Sequence, residues 1–149
     1  MVTHFTFRLQ RLLDLRERHV QDCQKRLAQS LIAALKAQAD LQSLQAERQL
    51  LTQNWHECIR REMRPDTALH YQHCFDTLAH VCERANKILV AAQSEELAHR
   101  ALLDQALRKQ KVLEKVCERM RARFLLESNR REQAQLDEFA MLRTSQEAR

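Results

Sequence analysis

Residues 62–67 read Glu62-Met63-Arg64-Pro65-Asp66-Thr67 and hold the single proline of a 149-residue chain that has no glycine. Pro65 has no N–H, and its ring clashes with the preceding turn, so it cannot sit inside a helix. It also pushes Arg64 out of the α region. Asp66 or Thr67 is then placed to cap a new helix by accepting a backbone N–H. Working outward in both directions, Ala, Leu, Gln, Glu, Lys and Arg dominate, all strong helix formers. No second turn signal of Gly, Pro, Asn or Ser clusters appears. The chain therefore reads as all-α, with two long helices forming an antiparallel coiled-coil hairpin. Helix one is expected over about residues 3–63, the bend at 64–66, helix two over 67–140 and a tail at 141–149, in a single body.

Each arm carries one heptad seam. In the first arm one core position takes Leu13, Val20, Leu27, Ala34, Leu41 and Trp55. The other takes Leu9, Cys23, Ala37, Leu44, Leu51 and Cys58, with Thr6, Arg16, Ser30 and Arg48 as interruptions. The second arm offers Tyr71, Phe75, Leu78, Cys82, Ala85, Leu89, Ala92, Leu103, Ala106, Leu113, Cys117, Met120 and Phe124, broken by Glu96, His99 and Gln110. A stripe repeating every 3.5 residues demands a partner helix and a left-handed supercoil. The first arm would be ~90 Å long at 1.5 Å per residue, too long for any small globular core to bury. A tight bend near residue 65 sets Trp55 opposite Phe75 and Leu27 opposite Leu103, as in an αα-hairpin. Beyond about Phe124 the second arm outruns the first and becomes an overhang or a frayed end.

Thirty per cent of the residues are charged, 5% are aromatic, and the formal net charge is +5. Acidic residues are interleaved with basic ones along both arms, the pattern of salt-bridged solvated helix faces. No apolar run approaches the ~20 residues of a membrane span, and the N-terminal residues lack the apolar core of a secretory signal. A cytoplasmic location is expected. The five cysteines form no CxxC pair, which fits reduced, packed thiols.

An enzyme is not expected. Phosphate-cradling loops need residues without a Cβ, and this chain has none. Neither GxSxG nor HExxH occurs, and a two-helix hairpin has no concave pocket. No cofactor is called for. His70, His73 and Cys74 share a helix side, with Cys58 expected across the bend, a set of zinc-compatible ligand types. The competing view, solvated histidines and small thiols near the seam, is favoured, and no metal is assigned. Lys109, Lys111, Lys115, Arg119, Arg121 and Arg123, with Arg130 and Arg131, make the second arm basic. They flank the seam and are broken by Glu114, Glu118 and Glu127, unlike the basic region that precedes a parallel zipper. Solvated flanks fit best, an acidic protein groove next, and nucleic acid least. Phe5, Phe7, Leu9, Leu12 and Leu13 form a wide apolar N-terminal face, read as the first turns of the coiled coil together with residues available to a partner. Asp14 and Glu17 weigh against a membrane surface.

The terminal segments carry a family resemblance. Phe5-Thr6-Phe7-Arg8-Leu9-Gln10-Arg11-Leu12-Leu13-Asp14-Leu15-Arg16-Glu17 resembles the opening of the FliJ family of flagellar export proteins. Leu113-Glu114-Lys115 and the stretch Glu132-Gln133-Ala134-Gln135-Leu136-Asp137-Glu138-Phe139-Ala140 resemble its closing motif. Tyr71-Gln72, Phe75 and Leu78 look like the family's start of helix two. The resemblance implies a non-enzymatic stalk and adaptor of the flagellar type III export apparatus. Such a protein contributes to flagellum biogenesis, and through it to motility and chemotaxis.

It would bind the hexameric export ATPase, the export-gate membrane protein and export chaperones. It would work in the cytoplasm, peripherally at the inner membrane. By the same resemblance the ATPase engages the end with the chain termini, through Phe5, Arg8, Leu9, Arg11, Leu12, Arg16, Leu136 and Phe139. The gate and chaperones engage the half nearer the bend, through Leu44, Leu51, Tyr71 and Leu78. Leu44 and Leu78 match the family by position. Glu47 and Leu51 stand where members often carry tyrosines, and Cys74 where an aromatic is common. The stalk of a virulence-type injectisome and a self-associating structural coiled coil are the alternatives.

Overall fold

A computed structural model describes residues 4–147. It is all-α, with no strand among the described residues: helix α1 spans Gln10–Arg60 and helix α2 spans Pro65–Glu147. The two pack as a helical hairpin. Two compact units divide it, one made of residues 1–21 and 105–149, the other of residues 22–104. They are called here the terminal unit and the bend unit.

The bend differs in detail from the sequence expectation. Pro65 is itself the first residue of α2, and the Arg64 carbonyl accepts the Ala68 N–H at 3.1 Å. Proline suits that position because its missing N–H would lack an intrahelical acceptor there anyway. Asp66 and Thr67 therefore lie inside the first turn instead of capping it. Asp66 still contributes, as a negative charge at the positive end of the helix dipole. At the end of α1 the Arg61 N–H reaches the Cys58 carbonyl at 3.2 Å. Glu62 then turns the chain with φ of 62°. That left-handed conformation is where helices usually place glycine.

In the bend unit the seams are inward. Cys23, Ser30, Ala34 and Ala37 are buried, and Leu27, Leu41, Leu44, Leu51, Trp55 and Cys58 are half-buried. On α2 every seam position from Tyr71 to Leu103 is half-buried, the polar Glu96 and His99 included. Trp55 meets Phe75 edge-on at 6.3 Å between ring centroids, the pairing expected from the bend. Two of the polar seam residues find partners along their own helix. Ser30 Oγ donates to the Leu27 carbonyl at 2.8 Å, and Arg100 reaches Glu96 at 2.9 Å. A buried hydroxyl or carboxylate without such a partner would be destabilising. Arg48 alone among the expected α1 seam positions of this unit is exposed.

In the terminal unit Phe7, Leu13, Val20 and Ala106 are buried, Ala106 at 2% exposure. Gln110 Nε2 donates to Glu114 Oε1 at 2.9 Å, which satisfies the polar break there. Helix α1 starts at Gln10, later than the expected residue 3. Residues 4–7 are not helical, and the Gln10 N–H closes a turn onto the Phe7 carbonyl at 3.1 Å. Thr6 is consequently exposed and is no seam residue. Leu9 and Met120, both expected on the seam, are 39% and 42% exposed, and Leu9 precedes the first residue of α1. Helix α2 continues to Glu147, past the expected end near residue 140.

Candidate functional site

Two surfaces hold the residues singled out in the sequence, one in each unit. In the terminal unit the non-helical N-terminal segment lays Phe5 against Phe124, with ring centroids 5.6 Å apart. Phe5 is half-buried by this contact, and its neighbour Phe7 is buried. A shallow groove beside them is lined by His4, Phe5, Phe7, Gln10, Cys117, Arg121, Phe124 and Leu125. Arg8, Leu9, Arg11 and Leu12 are exposed around the start of α1, and Arg16 is half-buried on the seam. An arginine can occupy a seam because its stem packs while its head reaches water.

Past Phe124 the heptad spacing would fall on Glu127, Arg131, Ala134, Glu138 and Met141. Three of these five are charged, so the intramolecular seam stops at Phe124. Of the large apolar residues farther along, Met141 keeps that spacing, whereas Leu136, Phe139 and Leu142 lie elsewhere on the helix. Leu136 and Phe139 are 68% and 67% exposed, and Met141 and Leu142 are exposed as well. Every side chain described from Asn129 to Gln146 is exposed. The terminal unit also has the chain's excess of positive charge. It carries 15 Lys and Arg against 9 Asp and Glu, whereas the bend unit carries 10 against 11.

In the bend unit Leu44, Leu51 and Leu78 line one open groove with Glu47, His73, Cys74, Thr77 and Val81. Tyr71, expected with them, lies instead in the cluster at the bend. Its ring is 5.4 Å from Trp55. Its hydroxyl is 3.3 Å from Cys58 Sγ, a contact in which either atom can donate. That hydrogen bond is the main cause that raises the Tyr71 pKa above its ordinary value. Partial burial and the fields of Cys58, Cys74 and Glu57 act in the same direction. A second groove at the bend is lined by Thr52, Trp55, Pro65, Ala68, Leu69, Gln72, Phe75 and Asp76. Trp55 and the exposed Leu69 were not singled out as contact residues in the sequence. The signal was available, since a lone tryptophan three turns from a proline bend is a natural aromatic anchor.

Cys74 Sγ is 3.7 Å from His70 Nε2, one turn away on α2. Cys58 is engaged with Tyr71. Among the described residues no group of three His, Cys, Asp or Glu side chains is close enough to hold a metal ion. None of the described helices is long and apolar enough to cross a membrane.

These features define a class: a helical hairpin whose candidate sites are exposed helix faces and shallow grooves that suit other proteins. The particular family follows from comparison. The family model described as Flagellar FliJ protein matches residues 5–149, and the chain belongs to the FliJ family. No curated protein and no solved structure gives a significant match. Family membership gives the protein a role related to flagellar export.

Proposed function

We propose that this chain is a non-enzymatic stalk and adaptor of the flagellar export apparatus. Its terminal unit engages the hexameric export ATPase through Phe5, Arg8, Leu9, Arg11, Leu12, Arg16, Leu136 and Phe139. The groove of Leu44, Leu51 and Leu78, with Tyr71 at the bend, takes the export-gate protein and export chaperones. The chain works in the cytoplasm, peripheral at the inner membrane, and supports motility through flagellum assembly. Stalk binding would bias which ATPase subunit closes, a population shift set by differential contacts.

The observation that carries this proposal is the helical extension beyond Phe124. Its seam positions turn charged, yet it keeps Leu136, Phe139 and Leu142 exposed. A helix with no intramolecular partner gains nothing from such residues, whereas an amphipathic segment that enters a partner groove does. The positive excess of the same unit suits acidic surfaces, which steer and orient association. Deleting residues 132–149 tests the proposal. The truncated hairpin should keep its helical circular dichroism per residue and lose most ATPase binding and stimulation. Full stimulation by a folded truncation would remove the overhang from the contact.

A further inference from the structure

In the terminal unit, the side of α2 that faces away from the seam carries a stripe of cations. At about 100° per residue, Arg108, Lys111, Lys115, Arg119, Arg123 and Arg130 fall within one arc of about 120°. Its centre lies roughly 160° round the helix from Ala106, Leu113, Cys117 and Phe124. Lys111, Lys115, Arg119, Arg123 and Arg130 thus lie away from the seam that the sequence expects them to flank. From Arg108 to Arg130 the arc otherwise holds only Val112, Ala122, Leu126 and Asn129, and no acid. All ten residues are exposed, Val112 at 62% and Leu126 at 53%. Asp104 and Asp137, on the same side of the helix, bound the stripe, whose cations span about 33 Å. Among the described residues the ion pairs are Lys87 with Glu83 and Arg100 with Glu96, and neither lies on the stripe.

We propose that this stripe docks the terminal unit on an anionic lipid surface. A cluster of about four to eight Lys and Arg on one exposed helix face is the pattern that anionic headgroups attract. Charge complementarity requires an anionic partner, and the flanks of the stripe select its shape. One flank holds Glu114, Glu118 and Glu132, and the other holds Glu127 with Lys109. A nucleic-acid groove or an acidic protein cleft has walls, which would set phosphates or carboxylates against those glutamates. A bilayer is flat and meets the outer arc alone, over its whole length. The exposed Val112 and Leu126 then sit at headgroup depth. The cation stems lie beside them while the charged heads reach the phosphates. This contact deepens, and rests on, the reading of the chain as peripheral at the inner membrane. What it adds is a touch on the lipid itself.

Co-sedimentation of the full chain with vesicles tests the proposal. The chain should bind phosphatidylcholine vesicles that contain about 30% phosphatidylglycerol, ignore phosphatidylcholine alone, and come off as salt is raised. A triple variant, Lys115→Gln, Arg119→Gln and Arg123→Gln, keeps good helix formers at exposed positions. It should weaken vesicle binding about 100-fold, at roughly fivefold per cation. A control triple, Lys109→Gln, Arg131→Gln and Arg143→Gln, removes the same charge from the same unit but off the arc. It should weaken binding less than about tenfold, and both triples should keep the far-UV circular dichroism of the parent. No binding to the anionic vesicles overturns the proposal. So does an equal loss in the two triples, which would make the effect one of net charge alone. If the stripe triple binds vesicles normally but loses binding to duplex DNA, or loses ATPase stimulation, the stripe belongs to that partner and the lipid assignment falls. ATPase binding by the wild-type chain reports on the stalk role whatever the vesicles show, so the two readings fail separately.

Discussion

Glu62 holds a backbone conformation that costs an L-residue with a Cβ roughly 1–2 kcal/mol. Glycine would relieve that cost, less the extra freedom it gives the unfolded chain. Glu62→Gly is therefore expected to stabilise the hairpin by about 0.5–1 kcal/mol, and Glu62→Val to destabilise it by about 1–2 kcal/mol. Thermal melts followed by circular dichroism read both, and a lower melting point for Glu62→Gly would contradict the account. Tyr71 makes a second case. It is the chain's single tyrosine, and its pKa is raised in the fold, first by the hydrogen bond with Cys58. Above pH 10, the ordinary value for tyrosine, the unfolded chain loses the phenolic proton before the folded chain does. Stability from this group is thus fully present below that value and falls as pH rises through the folded pKa. Phenolate absorbance of the native protein should appear at higher pH than that of the urea-unfolded protein. In Cys58→Ala the two titrations should move together. The sequence marked Tyr71 as a seam and contact residue but not its bond to Cys58, and it did not mark Glu62. Proline announced the bend, but which residue would take the left-handed angle depends on how α1 unwinds after Arg60.

At the level of the helices, the heptad placed almost every inward residue correctly because one small core cannot cover such long stripes. It failed where pairing ends. Leu9 and Met120 keep the spacing yet are exposed, and Phe7, off the seam, is buried because residues 4–7 run without helix. Spacing shows which side of a helix is apolar, not where its partner helix begins. The groove of Leu44, Leu51 and Leu78 has the same ambiguity, since all three are also half-buried seam residues. Leu44→Ala and Leu78→Ala should each cost about 1–2 kcal/mol, as half-buried large-to-small changes do. Leu89→Ala, on the seam but outside that groove, is the control with a similar cost. The proposed role expects a gate- or chaperone-binding defect in the first two that Leu89→Ala does not share. Equal binding by all three folded variants would leave Leu44 and Leu78 as packing residues only.

Across the whole molecule, what the sequence made legible was the pattern: one proline, no glycine, two seams and the terminal motifs of a flagellar export family. The uneven division of charge between the two units became visible only once the fold had brought the two ends of the chain into one unit. The bend unit adds a constraint on how such a chain can vary over time. Its α1 and α2 seams are locked side by side from the Trp55 and Phe75 contact onward. A single residue gained in one helix would rotate every later seam position by about 100° away from its partner. Seven residues gained in one helix alone would restore the rotation but slide one arm past the other by about 10 Å. Only heptads inserted or deleted in both arms, at matching distances from Pro65, leave both seams facing. Length differences among descendants of this hairpin should therefore come as paired sevens, with unpaired changes gathered in the segment after Phe124, where no partner helix keeps count.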